Sequence, residues 1–223
     1  MFFVLSKLKK IVAKAALQYV HDGMILGVGS GSTVRELIEL LSASHFRVKC
    51  VPTSYDTELI LRKKNLSVLS LQDTDRIDLA IDGADSVFLE KGVIIKGGGG
   101  ALLREKIVDY FADELIIIVT EEKVGRLFPV PVEVLPFAYS KFLLEKLSAY
   151  GTPTLRMARN KLGPVVTDNG NWIIDVKIPS DIISRKLEDD LRRIPGVFES
   201  GIFTKSAKVL IAREDGDVEE AKI

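Results

Sequence analysis

The sequence predicts an α/β protein built on a doubly wound, mostly parallel sheet, and two observations lead to this prediction. Short apolar runs of β-strand character alternate with segments of helical periodicity through residues 1–128. Glycine-rich or acidic turns follow several of these runs, where a strand would pass into the next helix. Strands that alternate with helices form parallel sheets, and ligands gather at the carboxyl ends of such strands.

The predicted elements follow one another without a long gap. Apolar residues recur at helical spacing from Leu5 to Tyr19, and Lys7, Lys9 and Lys10 interrupt the stretch where a secretory signal would continue, so the chain opens with an amphipathic helix. The strands predicted after it are MILGVG, VKCVPTS, SVLSL, RIDLAID, GVIIKG and ELIIIVT. The helices predicted between them are STVRELIELLSA, DTELILRKKN and ALLREKIVDYFA.

The prolines of RLFPVPVEVLP mark a change of domain, because they would interrupt a helix or a central strand. Beyond them the order strand, helix, strand, hairpin, helix, strand is that of a split β-α-β unit. We therefore predict a small α+β, ferredoxin-like domain over residues 129–205 and a Rossmann-like domain over residues 1–128 and 206–223. The late segment AKVLIARE would return to the first sheet.

The composition excludes several classes of function. Of 223 residues, 47% are hydrophobic and 28% charged, and 31 basic side chains balance 31 acidic ones. This balance disfavours nucleic acid or an anionic membrane as the main partner. No apolar run approaches the length that spans a bilayer. The single Cys50 cannot form an intramolecular disulfide, so a reducing cytoplasm is the expected location.

The stretch GVGSGSTVREL, residues 27–37, is a glycine-rich turn from a strand into a helix. Free N–H groups and the helix dipole make such a helix start an anion site, and Ser30, Ser32 and Thr33 add hydroxyl groups. No Lys precedes the Ser-Thr pair, so it is not a P-loop, and Ser32 replaces the third glycine of the dinucleotide fingerprint. A phosphate site and a merely capped helix both fit this spacing.

Two acidic residues, Asp82 and Asp85, follow the strand RIDLAID in the turn DGAD. Two carboxylates at the ligand edge of a sheet can handle protons or hydroxyl groups. Aspartate is also a favoured turn and cap residue, so a structural role fits equally well. No nearby ligand supports metal binding.

Four consecutive glycines, Gly97–Gly100, separate Lys96 from the helix that contains Glu105. Such a run loses much conformational entropy on folding, so a structural turn rarely needs four, and something is expected to lie close against this backbone. A helical wheel places Glu105 opposite the apolar residues of its helix, as for an exposed glutamate or one that borders a cleft. Those apolar residues are Leu103, Ile107 and Tyr110.

Together, GVGSGSTV, DGAD and KGGGGALLREK, in this order, resemble type A ribose-5-phosphate isomerase. The segments KAALQYV, FPVPVEV, VVTDNGNWIIDV and IPGV extend the resemblance over nearly the whole chain. The resemblance implies interconversion of ribose 5-phosphate and ribulose 5-phosphate through an enediolate, in the pentose phosphate pathway. It implies a sugar-phosphate substrate, no metal or organic cofactor, and a homodimer or homotetramer.

The resemblance also implies a role for each motif residue. Glu105 would be the general base, Asp82 and Asp85 would bind sugar hydroxyls and assist ring opening, and Lys96 would stabilise negative charge on the enediolate. The implied substrate-binding residues are Ser30, Gly31, Ser32, Thr33, Asp82, Gly83, Ala84, Asp85, Lys96, Gly97, Gly98, Gly99, Lys123 and Lys9. Ser86, where the family usually has Glu, and Gly100, where Ala is common, depart from the pattern.

Two alternative functions fit parts of the sequence. A sugar-phosphate sensor would bind without turnover, but such sensors normally carry a DNA-binding helix-turn-helix, and here the predicted sheet begins after one helix. An amino-sugar phosphate deaminase would need a catalytic histidine near the loops. His21 and His45 are instead expected at the surface, and no G-x-S-x-G motif indicates a hydrolase triad.

Overall fold

The computed structural model describes residues 2–223. Its internal contacts group the chain into two units, and residues 85–103 fall in the second. The first unit holds the chain up to residue 84 together with 104–124 and 205–223, and the second holds 85–103 and 125–204. The domain limits predicted from the sequence, residues 1–128 with 206–223 and residues 129–205, stay a prediction.

Helices and strands alternate along most of the described chain. The helices are α1 (Phe2–Leu17), α2 (Ser32–Ser42), α3 (Tyr55–Lys63), α4 (Leu102–Phe111), α5 (Lys141–Ser148) and α6 (Lys186–Arg192). The strands are β1 (Ile25–Val28), β2 (Lys49–Pro52), β3 (Ser67–Val68), β4 (Ile77–Gly83), β5 (Ser86–Phe88), β6 (Val93–Ile95), β7 (Ala112–Thr120), β8 (Val130–Val134), β9 (Thr152–Leu155), β10 (Trp172–Lys177), β11 (Val197–Ser200), β12 (Ile202–Phe203), β13 (Lys208–Ala212) and β14 (Val218–Lys222). Within residues 2–223, no helix is both long and apolar enough to cross a membrane.

The first unit contains a seven-stranded sheet in the order β14-β13-β7-β4-β1-β2-β3. Its neighbouring strands run parallel except for β14, which pairs antiparallel with β13. This order confirms the predicted doubly wound, mostly parallel sheet, and the pairing of β13 with β7 confirms the predicted return of AKVLIARE. The edge strand β14 was not among the predicted elements.

The first unit is stabilised by apolar side chains that the helices present to the sheet. In α1, Leu8, Val12 and Ala16 are buried at a spacing of four, and in α2 Leu37 and Leu41 repeat that spacing. This is the stripe that an amphipathic helix buries on one face. It confirms the predicted amphipathic first helix.

The second unit contains a four-stranded antiparallel sheet in the order β11-β8-β10-β9. The chain passes through it as β8-α5-β9-β10-α6-β11, which fits the split β-α-β unit predicted for the smaller domain. The first arm of the predicted hairpin VVTDNGNWIIDV is not a strand and forms only an isolated bridge, between Val166 and Trp172. Apolar residues on alternate positions of β8 are buried with leucines one turn apart on each helix. Those residues are Val130, Val132, Val134, Leu143, Leu147, Leu187 and Leu191.

The predicted strand GVIIKG forms β6, but its inclusion among the strands of the parallel sheet was wrong. Strand β6 pairs antiparallel with β5 and β12 in a separate three-stranded sheet of the second unit. The chain turns back from β5 through Gly92, which adopts a φ of 61° that favours glycine. A three-residue strand buried throughout carries no alternation that would identify its partners.

The thiol of Cys50, on the inner strand β2, is fully buried, and burial raises its pKa to about 12. A thiol with this pKa is almost entirely protonated at pH 8, and the thiolate is the reactive form. We expect a disulfide reagent to leave the native protein unmodified at pH 8 and to label one thiol per chain after unfolding. Rapid stoichiometric labelling of the native protein would contradict this packing.

Candidate active site

The sheet of the first unit reverses its chain order at β1. From β1 the chain continues outward to β2 and β3 on one side, and β4, β7 and β13 lie on the other. In such sheets, loops at the carboxyl ends of the strands beside the reversal leave room for a ligand. The loop after β1 carries Gly29–Gly31, and β4 carries Asp82 near its carboxyl end.

Gly29 and Asp82 meet at this reversal. The Ser30 N–H donates to Asp82 Oδ1 over 3.1 Å, and the Gly83 N–H donates to the same oxygen over 2.6 Å. A Cβ on Gly29 would lie 1.9 Å from that oxygen, so only glycine fits there. Asp82 is fully buried. Backbone N–H donors stabilise its charged form where water is excluded.

The hydroxyl of Ser30 joins a cluster that the sequence did not predict. Its Oγ lies 2.9 Å from Thr53 Oγ1 and 3.1 Å from Thr57 Oγ1, and donates to Ser54 Oγ over 2.7 Å. Thr57 donates in turn to the Gly29 carbonyl over 2.8 Å. These residues end β2 and begin α3, so the only sequence signal is the polar end of VKCVPTS. The cluster fixes the Gly29–Ser30 loop.

Helix α2 begins directly after that loop. Gly31 occupies its N-cap with a φ of 111°, without a side-chain cap, and the first turn contains no acidic residue. Ser32 is exposed and Thr33 partly exposed. The first N–H groups of a helix have no partner within the helix, so an anion can bind there. Gly31, Ser32 and Thr33 therefore lie at the helix start that the sequence predicted, and no side chain caps this start.

Glu105 lies at the same level of the first unit as Asp82. A Cβ on Gly27 would lie 2.7 Å from Val108 Cγ1, so α4 packs closely on the sheet there, beside Ala80. Helix α4 precedes the parallel strand β7 and therefore runs against the strands. Glu105, one turn before Val108, lies about 5 Å nearer their carboxyl ends. Asp82, two residues beyond Ala80, lies about 7 Å nearer the same edge.

Burial of Glu105 excludes the exposed glutamate that the helical wheel allowed and leaves the alternative of a glutamate that borders a cleft. Its side chain is only 5% exposed, whereas the predicted apolar face is only partly buried. A helical wheel assumes that the apolar residues of a helix are the buried ones, but α4 buries polar residues as well. The buried residues of α4 are Leu102, Glu105, Lys106, Val108 and Asp109.

The two lysines predicted to support the phosphate lie on different elements of the first unit. Lys123 ends a short 3-10 turn that follows β7, so it extends from the same carboxyl edge as Asp82. Lys9 lies in the middle of α1 with a partly buried side chain. Its place at the phosphate stays a prediction.

In the second unit, Asp85 contacts the glycine-rich loop. The Gly98 N–H donates to Asp85 Oδ2 over 2.7 Å, and the Asp85 N–H donates to the Ile95 carbonyl over 2.9 Å. A Cβ on Gly98 would lie 2.5 Å from Asp85 Oδ1. The carboxylate is therefore the group close against this backbone that the glycine run predicted.

The other glycines of the loop differ in their backbone angles and in the space around them. Gly97 and Gly100 have φ values of 99° and 86°, which favour glycine. Gly99 has neither a positive φ nor any atom within 4 Å of the position of a Cβ. Gly98 and Gly99 border a cavity of about 620 Å³ in the second unit.

Lys96 follows β6 directly and is buried in the second unit. It is 1% exposed, and its N–H donates to the Gly201 carbonyl over 2.9 Å. Its Nζ lies 5.6 Å from the centre of the Phe203 ring, within the range of a cation–π contact. A cation with so little water around it acts strongly on nearby charge.

Ser86 follows the DGAD turn at the position where the family usually has Glu. It is a buried residue of β5, and its hydroxyl donates to the Arg126 carbonyl over 2.6 Å. It stabilises a turn of the second unit. The histidines His21 and His45 are both exposed, as predicted. Among residues 2–223, no group of three or more His, Cys, Asp or Glu side chains is arranged to hold a metal ion.

Comparisons with known proteins agree on one family. The family model for ribose 5-phosphate isomerase A (phosphoriboisomerase A) matches residues 49–216. A ribose-5-phosphate isomerase A from Methanococcus aeolicus is 47% identical over 208 residues, which cover 90% of this chain and 88% of the relative.

Solved structures give the same result. Ribose 5-phosphate isomerase A from Methanocaldococcus jannaschii matches with a TM-score of 0.91 at 41% identity, covering 97% of this chain and 98% of that one. A D-ribose-5-phosphate isomerase in complex with phospho-erythronic acid matches with a TM-score of 0.92 at 40% identity, covering 98% of this chain and 99% of that one.

The contact between Gly29 and Asp82 predicts a large stability difference between two substitutions. Gly29→Ala forces a methyl group into a buried carboxylate and should lower the free energy of unfolding by about 1–3 kcal/mol. Gly99→Ala, whose methyl group meets open space, should change it by less than about 0.5 kcal/mol. Urea denaturation measures both variants, and equal stabilities would contradict the packing at Gly29.

Proposed function

The chain belongs to the ribose 5-phosphate isomerase A family and is a ribose-5-phosphate isomerase, and we propose that Glu105 is the general base of its reaction. The isomerase interconverts an aldose and a ketose phosphate, which requires a proton to move between C2 and C1 of the sugar. A positioned carboxylate is a suitable base for this transfer. The observation that carries the proposal is the burial of Glu105 on the sheet-facing side of α4.

The position of Glu105 suits that role better than a structural one. A glutamate that only stabilised the helix would gain by facing water, because burying a carboxylate away from solvent is costly. Glu105 lies instead in the first turn of α4, at the level of Asp82 and toward the carboxyl ends of the strands. We therefore place the reacting carbons of the substrate within reach of Glu105.

The two aspartates of DGAD would bind the sugar hydroxyls and assist ring opening. Asp82 is held by N–H groups through Oδ1, which fixes the direction of its carboxylate. Asp85 accepts the Gly98 N–H through Oδ2. On substrate binding we expect Asp85 to share this hydrogen bond with a sugar hydroxyl. Gly83 and Ala84 connect the two aspartates along the chain, and their backbone would contact the sugar.

Negative charge on the enediolate oxygens would be stabilised by Lys96 and by N–H groups of Gly97–Gly99. Preorganised donors and cations in a site without water are often the largest contribution to catalysis. The burial of Lys96 supports this assignment. Of the loop donors, the Gly98 N–H already has a partner in Asp85, whereas Gly99 is an exposed residue.

The phosphate would bind at the start of α2. The N–H groups there are uncapped by any side chain, and Gly31 leaves them accessible. Ser32 and Thr33 add hydroxyl donors, whereas the Ser30 hydroxyl is engaged with Thr53 and its neighbours and acts by holding the loop. Lys123 and Lys9 would add positive charge.

The ligand of one relative suggests an inhibitor. Phospho-erythronic acid, present in a solved D-ribose-5-phosphate isomerase, combines a phosphate with a carboxylate. A carboxylate shares one negative charge between two oxygens and resembles the delocalised charge of an enediolate. We propose that this chain binds it competitively with ribose 5-phosphate, through the loop Gly97–Gly99 and Lys96.

Two further properties belong to this proposal: assembly as a homodimer or homotetramer, and location in the cytoplasm. Large apolar side chains on the second unit support assembly, because Phe137 is 93% and Phe142 80% exposed. A reduced, buried Cys50 is compatible with the cytoplasm.

Light scattering tests the assembly. A mass of two or four chains, unchanged on tenfold dilution, is the expected result, because apolar interfaces of stable oligomers exclude water. The variant Phe142→Asp should lower that mass if this residue lies in the interface. A wild-type mass of one chain at every concentration would contradict the proposed assembly.

The variant Glu105→Gln tests the proposed base. The amide keeps the size of the side chain but has no basic oxygen, so kcat for ribulose 5-phosphate formation should fall about 10²- to 10⁴-fold. Glu114→Gln makes the same chemical change at an exposed position of β7 and should keep wild-type turnover. Circular dichroism and thermal melting establish that both variants fold. Wild-type turnover in folded Glu105→Gln would remove Glu105 from the mechanism.

A further inference from the structure

Arg156 makes four side-chain hydrogen bonds inside the second unit. Its Nη1 donates to the carbonyls of Gly97 and Gly98 over 2.9 and 3.1 Å. Its Nε donates to Asp175 Oδ2 over 2.8 Å, and its Nη2 donates to Asp175 Oδ1. A guanidinium has five N–H donors, so nearly all of its capacity is used on these three partners.

The guanidinium is itself held firmly. The Arg156 N–H donates to the Ile173 carbonyl over 2.8 Å, and its carbonyl accepts from Val165 over 2.9 Å. Asp175 lies on the inner strand β10, paired with both β8 and β9. Both charged side chains are largely buried, at 16% and 25% exposure. A bidentate pair of this kind orients a planar guanidinium as well as balancing its charge.

Because of peptide geometry, the hydrogen bonds to these carbonyls also fix the directions of the N–H groups that follow them in the chain. A peptide bond is planar and trans, so a carbonyl and the N–H of the next residue point in opposite directions in one plane. The Gly97 carbonyl therefore fixes the Gly98 N–H, which donates to Asp85. The Gly98 carbonyl likewise fixes the Gly99 N–H, which points away from Arg156.

The glycine loop needs such a restraint because its residues have no side chains to hold it. A glycine has more conformational freedom to lose than any other residue, and Gly98 and Gly99 are both exposed. We propose that Arg156 is a positioning residue that aims the N–H groups of Gly98 and Gly99. The inference deepens the proposed function, because it rests on the Gly99 N–H stabilising the enediolate while the Gly98 N–H orients Asp85.

The test compares Arg156→Lys with wild type for turnover and inhibitor binding. Lysine keeps the charge but cannot bond a carboxylate in two places and two carbonyls at once. Loss of a full oxyanion donor costs about 10²- to 10³-fold in kcat, so misaimed donors should cost roughly 10- to 100-fold. KM for ribose 5-phosphate should change little, and the inhibition constant of phospho-erythronic acid should rise with the loss in kcat.

Two other variants complete the design. Arg193→Lys makes the same change at an exposed arginine of the second unit that does not line the cavity beside Gly98 and Gly99, and should retain wild-type kcat. Asp175→Asn leaves Arg156 in place but removes its charged partner, and should lower kcat by a smaller factor. The double variant with Arg156→Lys should be no slower than Arg156→Lys alone, because both changes disturb one interaction. Additive losses would overturn the proposal, as would kcat within twofold of wild type in folded Arg156→Lys.

Amide hydrogen exchange separates this inference from the proposed function. In Arg156→Lys, exchange at Gly98, whose N–H is hydrogen-bonded to Asp85, should be several-fold faster than in wild type, while exchange in the sheet around β10 stays unchanged. Unchanged exchange at Gly98 would overturn the positioning role. A wild-type protein that does not convert ribose 5-phosphate would instead overturn the proposed function, and the exchange rates would still decide the role of Arg156.

Discussion

The site depends on close contact between glycine backbone and the two carboxylates of the DGAD turn. Asp82 accepts the Ser30 N–H, and Gly29 is the residue whose side chain would collide with it. Asp85 accepts the Gly98 N–H, and a side chain on Gly98 would collide with Asp85. Each aspartate thus holds one glycine loop, within its own unit. Four residues of sequence constrain both the loop before α2 and the loop before α4.

Because of these contacts, the glycines have specific structural roles and do not simply make the loops flexible. At Gly29 and Gly98 the missing side chain makes room for a charged group, and the backbone N–H donors then stabilise that charge. At Gly31 a positive φ exposes the start of a helix. Gly99 is exposed, and we place the negative oxygens of the intermediate beside its N–H. The loops are therefore ordered, and their order is what allows them to act as donors.

The sequence predicted the parallel sheet, the smaller split β-α-β unit and the loops that carry the polar residues, because periodicity and turn chemistry are local. The predictions from the sequence were incomplete or wrong where the structure depends on contacts between residues far apart in the chain. The strand before Lys96 pairs with β5 and β12, and its three buried residues carry no sign of this. Glu105 is buried although the wheel placed it opposite the apolar face. Thr53, Thr57 and Arg156 act through residues far away in sequence, so no local pattern identified them.

The central claim is that a carboxylate of this chain moves a proton between two carbons through an enediolate. Conversion of ribose 5-phosphate in D₂O, followed by NMR, tests it most directly. A proton that passes through Glu105 can exchange with solvent, so deuterium should enter C1 of the ribulose 5-phosphate formed by wild type, and in Glu105→Gln both turnover and deuterium incorporation should slow by the factor of about 10²–10⁴ expected for loss of the base. Equilibration of the two sugar phosphates without any deuterium in the product would contradict proton transfer through an exchangeable carboxyl group.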